Sequence, residues 1–348
     1  MKTAEITHEA LLYDRLDDDR VRCNLCAHRC VIAPGRRGIC HVRENRAGRL
    51  YTLVYGRTIS QAVDPIEKKP LFHFYPGTGA FSIATPGCNF RCTFCQNADI
   101  SQMPRDRDLI LGTPVTPEAI VAAAQRTRCR SIAYTYTEPT VFFEYSLEIA
   151  RLARPAGIAN VYVTNGYMTD EMLHLFCGET QPPLMDAANV DLKAFSDEFY
   201  RERCGARLQP VLDSLKRMKD LGVWVEVTTL VIPGLNDAET ELRQIAQFIA
   251  QELGVDTPWH VSRFHPTYRL LDRPVTPTST LVRAREIGLA AGLRYVYMGN
   301  VPGAEGEHTF CYQCGRRIIG RWGFSITEYH LRDGRCAYCG AVMDGVGL

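Results

Sequence analysis

Residues 88–95 read Cys88-Asn89-Phe90-Arg91-Cys92-Thr93-Phe94-Cys95, a C-x3-C-x2-C pattern entered through Gly87. Three thiolates this close on one loop can hold three irons of a [4Fe–4S] cluster. No fourth Cys follows nearby, so one iron is left without a protein ligand and open to another molecule. Structural zinc takes four ligands, and its knuckles use C-x2-C, so zinc fits the triad poorly. Gly87 suits a place where the backbone is crowded around a cluster. The stretch also decides the fold, because a short buried strand, Phe81–Ala84, runs straight into it.

Beyond the triad, strand and helix alternate. Thr116-Pro117-Glu118 is a helix start: a capping hydroxyl, Pro at the first helical position, then an acid. Ile120, Val121 and Ala124 give that helix its apolar face. Ser131–Tyr136 reads as a strand, and Phe142, Tyr145, Ile149 and Leu152 follow at helical spacing. Val161–Thr164 and Asn189–Leu192 are the next strands. Leu212, Leu215 and Leu221 lie on a helix closed by Gly222. Val223–Ile232 is a strand rich in β-branched residues. Leu242, Ile245, Ile249 and Leu253 form a helix ended by Gly254. Trp259–Phe264 is a sixth strand, and residues 279–291 form the helix after it.

Six strands alternating with helices predict a parallel sheet. Polar residues gather where strands end: Thr137 with Glu138, Asn165, Asp191 with Lys193, and His260 with His265. In a barrel such ends converge on one site, whereas an open doubly wound sheet uses one crevice. Contributions from all six strands favour a barrel.

The 348 residues are enough for one large domain with accessories. Hydrophobic residues make up 46% and charged residues 23%, with a net charge of +1. That balance is an ordinary globular one and gives no overall field toward nucleic acid or membrane. No run of 18 apolar residues is present, so no membrane span or membrane partner is expected. The acidic start, MKTAEITHEALLYDRLDDDR, lacks the apolar core of a secretory signal, so a cytoplasmic location is expected. In a reducing cytosol, 14 cysteines point to metal ligation rather than disulfides.

Two more cysteine groups flank the triad. Cys311-x2-Cys314-Gly315 and Cys336-x2-Cys339-Gly340 are paired knuckles suited to tetrahedral zinc, as in a zinc ribbon. Arg316, Arg317, Arg321, Arg332 and Arg335 accompany Phe310, Tyr312, Trp322 and Tyr329. The aromatics are expected to fill the ribbon's small core, with the arginines outside; RNA binding by stacking and phosphate contacts is the alternative. Cys23, Cys26, Cys30 and Cys40 can hold zinc or a second iron–sulfur cluster. Cys129, Cys177 and Cys204 stand singly and read as small buried hydrophobes.

The triad, with Phe94 before its last Cys and a strand before its first, resembles the radical S-adenosylmethionine (SAM) superfamily. The resemblance implies a partial (β/α)6 TIM-like barrel. It implies that the open iron chelates SAM and that the reduced cluster gives one electron to the sulfonium. The 5′-deoxyadenosyl radical so released takes hydrogen from a substrate. Cys88, Cys92 and Cys95 would then be cluster ligands at the catalytic centre, with Phe94 beside the adenine. A low-potential electron donor of the flavodoxin or ferredoxin type is implied.

Other positions resemble the pyruvate formate-lyase-activating branch. Tyr136-Thr137-Glu138-Pro139 stands where that branch has Gly-Gly-Glu, so Glu138 would accept hydrogen bonds from the SAM ammonium; the glycines are missing here. Val163-Thr164-Asn165-Gly166 resembles its T-N-G element. Asp191-Leu192-Lys193 resembles its D-x-K, near ribose and carboxylate. Val231-Ile232-Pro233-Gly234 resembles the segment touching adenine, and His260 a ribose-contacting His.

Cys23-x2-Cys26-x3-Cys30, Arg36-x-Gly38-x-Cys40, Lys69-Pro70-Leu71-x-His73-Phe74 and Gly87-Cys88-Asn89-Phe90 together resemble AmmeMemoRadiSam-system radical SAM enzymes. That resemblance implies association with Memo-like and AMME-candidate-like proteins. The chain is thus expected to divide into a Cys-rich region (1–74), the barrel (75–305) and a zinc-ribbon-like module (306–348). The expected activity is radical SAM chemistry on a protein or RNA. The alternatives are a small-molecule substrate or a non-catalytic zinc-ribbon nucleic-acid-binding protein.

Overall fold

Strand order follows chain order. In the computed structural model, which describes residues 8–178 and 180–348, one sheet dominates. The first seven residues of the expected N-terminal region lie outside the described residues. The sheet contains β1 (Ser60–Pro65), β2 (Gly79–Ala84), β3 (Ser131–Tyr134), β4 (Ala159–Thr164), β5 (Ala187–Asp191), β6 (Trp224–Val231), β7 (Trp259–Arg263) and β8 (Val296–Gly299). They lie side by side in that sequence. From β2 onward every pairing is parallel. Each crossover therefore steps the same way, and the strand order never reverses. A doubly wound sheet would reverse once, so this is barrel-type winding. No pairing joins β1 to β8 among the described residues, so the sheet stays open.

The six-strand count is corrected to eight. β1 runs antiparallel to β2. It reads Ser-Gln-Ala-Val-Asp-Pro and exposes alternate residues, as an edge strand does, so it lacks the apolar run of a buried strand. β8 is only four residues long. β1 also ties the region expected to end at residue 74 into the main sheet.

The helices follow local chemistry. In α1 (Pro117–Arg126) the Thr116 side chain accepts from Ala119 N at 3.3 Å, with Pro at the first position, and Ile120, Val121 and Ala124 are buried. α2 spans Phe143–Ala153. α3 (Gln209–Asp220) is followed by Gly222 at φ +80°, where a side chain would be strained. α4 (Glu239–Phe248) continues as a wider turn to Leu253 and stops at Gly254. α5 spans Thr278–Ala290. Among the described residues no helix is long and apolar enough to cross a membrane.

The C-terminal strand ends form the mouth and the N-terminal ends the floor. At the floor, Ile66, Leu71 and Phe74 pack with Ala80, Val161 and Ala187, and Val346 joins them from the chain's last residues. Buried Glu226 organises this end: it accepts from Phe72 N at 3.0 Å and His73 N at 2.8 Å. The C-terminal module, with β9 (Thr309–Phe310), β10 (Arg317–Trp322) and β11 (Ser325–Tyr329), seats here. Its Ile318, Ile319, Leu331 and Met343 share a core with Phe72 and Tyr297. Arg321 is buried, stacked 4.1 Å from the Phe72 ring and donating to Phe72 O at 3.0 Å. The expected aromatic core is thus mostly aliphatic, while Trp322 is 65% and Tyr329 43% exposed. The floor supplies the large surface the module packs on, so it has no need to bury its own rings.

The N-terminal region forms small antiparallel sheets at the mouth. Thr169 Oγ1 donates to Asn24 O at 2.7 Å, and Arg43 Nη2 pairs with Glu144 of α2 at 2.5 and 2.7 Å.

Candidate active site

The triad loop leaves β2 at the mouth and is stitched on both sides. Arg91 N donates to Cys204 O and Thr93 N to Arg203 O, each at 2.9 Å. Phe90 O accepts from Gln102 Nε2 and Arg105 Nη1, each at 3.1 Å. Gly87 sits at φ +108°, and a Cβ there would stand 2.7 Å from Val42 Cγ1. The crowding expected at Gly87 therefore comes from the N-terminal region. Phe90 N donates to Cys88 Sγ at 3.3 Å, and Cys95 Sγ lies 3.2 Å from Ser101 Oγ. Burial pushes the Cys88 and Cys95 thiols up. Cys92 moves down, through the hydrogen bond from Cys204 and the Lys193 ammonium, against its burial.

Glu138 follows β3 and is buried. Its Oε1 accepts from Thr140 N (3.0 Å), Thr140 Oγ1 (2.6 Å) and Thr164 Oγ1 (2.7 Å), and its Oε2 from Asn165 N (2.9 Å). A carboxylate offers about four acceptor sites, two on each oxygen. The chain's own groups saturate Oε1 and leave room on Oε2 alone. Glu138 is first of all a clamp between the ends of β3 and β4. The clamp aims Asn165, whose Nδ2 donates to Asn89 Oδ1 at 2.7 Å, beside Cys88.

Lys193 Nζ donates to Asp191 Oδ2 at 2.9 Å and stands 5.8 Å from the Phe94 ring centre. Phe94, Asp191, Lys193 and Cys92 are therefore one group. Val231 ends β6, fully buried, and Asn236 just beyond it donates to Lys193 O at 2.6 Å. His260 is not brought here. It is the second residue of β7, at the floor end, with Nε2 2.7 Å from Glu226 Oε2 and its ring against Phe72 and Tyr297. A strand of five residues spans the sheet, so its start and its end serve opposite ends of it.

Sequence reasoning missed several neighbours. Cys204, read as a buried hydrophobe, is a thiol partner of Cys92. Its sequence cue is its place eleven residues after Lys193, on the turn that Gly205 closes at φ +70°. Tyr136 folds back from the end of β3, and its hydroxyl donates to Asp64, which also binds Lys69 Nζ at 2.6 Å. Asp64 and Lys69 are both buried. The Lys69-Pro70-Leu71 stretch was the cue to that network.

The four C-terminal cysteines gather with all sulfurs within 4.8 Å; Cys311 to Cys339 is 3.6 Å and Cys314 to Cys336 is 3.8 Å. Such a set can hold a metal ion. Cys23, Cys26, Cys30 and Cys40 instead line a cavity of about 20 Å³ beside the triad loop.

The triad fits a cluster with one open iron: it offers three soft thiolates on one loop. Thr85 Oγ1 just before that loop and Thr93 Oγ1 within it are buried with no partner among the described residues. Buried polar atoms without partners suit a polar guest.

A sequence profile described as the radical SAM superfamily matches residues 82–247. An uncharacterized protein of Methanocaldococcus jannaschii is 48% identical over 338 residues, 97% of this chain and 98% of that one. The pyruvate formate-lyase-activating enzyme of Clostridium pasteurianum is 26% identical over 187 residues, 50% of this chain and 72% of that one. The structure of Streptococcus suis SuiB bound to S-adenosylmethionine shares the fold, with a TM-score of 0.52 at 12% identity, covering 71% of this chain and 56% of that one.

Proposed function

Since the chain belongs to the radical SAM superfamily, we propose that this enzyme works in the manner of an activating enzyme, on a protein or RNA substrate. The observation that carries the reading is the Cys88, Cys92 and Cys95 loop, three thiolates without a fourth, at the mouth of a barrel-wound parallel sheet. When bound, a [4Fe–4S] cluster supplies one electron to the SAM sulfonium, and the resulting 5′-deoxyadenosyl radical takes hydrogen from the substrate. Cys88, Cys92 and Cys95 hold that group. Phe94 offers the adenine an apolar face, and Asp191 with Lys193 gives ribose and carboxylate their polar partners. Glu138 fixes Asn165 and keeps one Oε2 site for an ammonium. Val231 lines the adenine side.

The C-terminal quartet holds zinc in this reading. At a Zn–S bond of about 2.3 Å, tetrahedral sulfurs stand about 3.8 Å apart, close to the observed contacts. A low-potential flavodoxin- or ferredoxin-type donor serves as reductant. The likeness of the cysteine and Lys69–Phe74 motifs to the AmmeMemoRadiSam group supports Memo-like and AMME-candidate-like proteins as partners.

The test is anaerobic SAM cleavage with a strong one-electron donor. The wild type should yield methionine and 5′-deoxyadenosine, and replacing Cys88, Cys92 and Cys95 together by Ala should abolish both. Unchanged cleavage in that variant would falsify the assignment. Deuterium exchange between 5′-deoxyadenosine and candidate macromolecules then identifies the substrate.

A further inference from the structure

We propose that Cys23, Cys26, Cys30 and Cys40 hold a second [4Fe–4S] cluster, an electron relay into the triad site, and not a zinc ion. The proposal rests on the reading of the central triad as a cluster site.

The first argument is spacing. Among the described residues, the C-terminal quartet is the one group of three or more His, Cys, Asp or Glu side chains whose ligand atoms gather within 4.8 Å. The N-terminal quartet shares with the triad the wider spacing. Its four cysteines line one cavity of about 20 Å³. Four thiolates on a single zinc ion nearly touch, and these do not gather that closely. Thiolates at the corners of a cube of four irons and four sulfides stand farther apart.

The second argument is the wall of that space. Arg43 lines it, is 1% exposed, and spends only Nη2 on Glu144, leaving Nε and Nη1 without partners. Asn89 also lines it and leaves Nδ2 without a partner. Buried N–H groups without partners are costly. They belong to residues that line the four-thiol cavity, and an anionic cluster held there would offer thiolate and sulfide acceptors close by. The backbone N–H groups of His28 and Val42 already donate to Cys26 and Cys40. His28 commits Nε2 to Asn89 O at 2.9 Å.

The third argument is position. Val42, two residues past Cys40, packs on Gly87, next to Cys88, and Cys40 O is 3.6 Å from where a Gly87 Cβ would be. Asn89 follows Cys88 directly. The two sites are therefore neighbours. With four thiolates the second cluster has no open iron, so it passes electrons only. It takes one electron from a low-potential donor and gives one to the triad site, with no bond made or broken. Zinc has no redox chemistry and does not do this.

The full chain is reconstituted anaerobically with iron and sulfide, and iron, labile sulfide and zinc are counted per chain alongside electron paramagnetic resonance after reduction. The Cys88→Ala/Cys92→Ala/Cys95→Ala variant should keep about four irons, with a reduced-cluster signal that SAM does not perturb. The Cys26→Ala/Cys30→Ala variant should lose a similar number and keep the SAM-perturbed signal. A triad variant with no iron and a second zinc overturns the proposal, as does a Cys26/Cys30 variant with undiminished iron. A Cys26/Cys30 variant without any iron, beside a triad variant with all of it, supports this site and sinks the central reading instead. Should the Cys26/Cys30 variant fail to fold, the triad variant alone decides.

Discussion

Two cysteine quartets sit at opposite ends of one sheet. The N-terminal one lies at the mouth and surrounds a cavity next to the triad loop; the C-terminal one lies at the floor with its sulfurs already in contact. Each has a buried arginine, but the two arginines are occupied differently. Arg321 donates to Phe72 O and Thr309 Oγ1 and leaves Nε without a hydrogen bond, whereas Arg43 leaves both Nε and Nη1 without one among the described residues. Cysteine spacing alone would rate the two groups as equivalent metal sites. Their surroundings separate them: one closes a fold, and the other leaves space for chemistry.

The largest effect should come from deleting the floor. Truncation after Gly306 removes Arg321 from Phe72 and Val346 from its pairing with Phe74, and exposes Tyr295 and Tyr297. A domain's whole stability is about 5–15 kcal/mol, and a structural zinc alone is worth about 10 kcal/mol or more in a small metal-bound fold. The truncated chain should therefore show no cooperative melt by circular dichroism. A melt like that of the full chain would make the module a detachable appendage, and the contrast between the two ends would collapse.

Next comes the buried pair at the mouth. Arg43 and Glu144 side chains are 2% and 1% exposed. Arg43→Met leaves Glu144 charged and unpaired in the interior, at a cost of about 3–5 kcal/mol in denaturant unfolding. Arg43→Met with Glu144→Gln should recover much of the loss, because the uncompensated charge is gone. Equal losses in the single and double variants would break this account.

At the floor the third effect depends on pH. Burial lowers His73 to about 4, with Asp344 O and Tyr297 Oη each 2.6 Å from its ring nitrogens. The unfolded imidazole titrates near 6.5. As pH falls from about 6.5 to about 4, the unfolded state binds a proton that folded His73 refuses, so stability is lost on acidification. The gap amounts to about 3 kcal/mol. His73→Gln should flatten that part of the stability profile relative to wild type, whatever its effect at neutral pH. An unchanged slope would mean that the folded ring binds its proton as readily as the unfolded one.

What the sequence made legible was local. The triad, the Thr116 cap and the Gly222 and Gly254 stops each depend on residues a few positions apart. Strand–helix alternation and the polar residues after three strands, Glu138, Asn165 and Asp191 with Lys193, pointed to barrel-type winding. What stayed hidden needs partners far apart in sequence. Glu138 meets Thr164 across 26 residues, and Cys204 meets Cys92 across more than a hundred. His260 went astray because apolar patterning marks a strand but not which of its residues reaches the mouth. β1 was passed over because an edge strand can be polar, and β8 because four residues make a weak pattern.

The smallest effect tests whether burial, rather than residue type, sets the contrast. The module has its own Arg–Glu pair, Arg317 with Glu328, in a two-point contact at 2.6 and 3.2 Å. Its geometry is as good as that of Arg43 with Glu144, but the side chains are 42% and 38% exposed. Water already solvates both charges, and ions screen them, with a Debye length of about 8 Å at physiological salt. Exposed pairs contribute about 0.2–1 kcal/mol. Arg317→Met should therefore lower stability by under about 1 kcal/mol, an effect that shrinks toward zero in 1 M salt, and leave the metal content unchanged. The same substitution at Arg43 should stay costly in salt, because ions do not reach an interior pair. A loss at Arg317 as large as that at Arg43, persisting in salt, would mean that pair geometry outweighs burial. The idle nitrogens of Arg43 would then say less about its cavity.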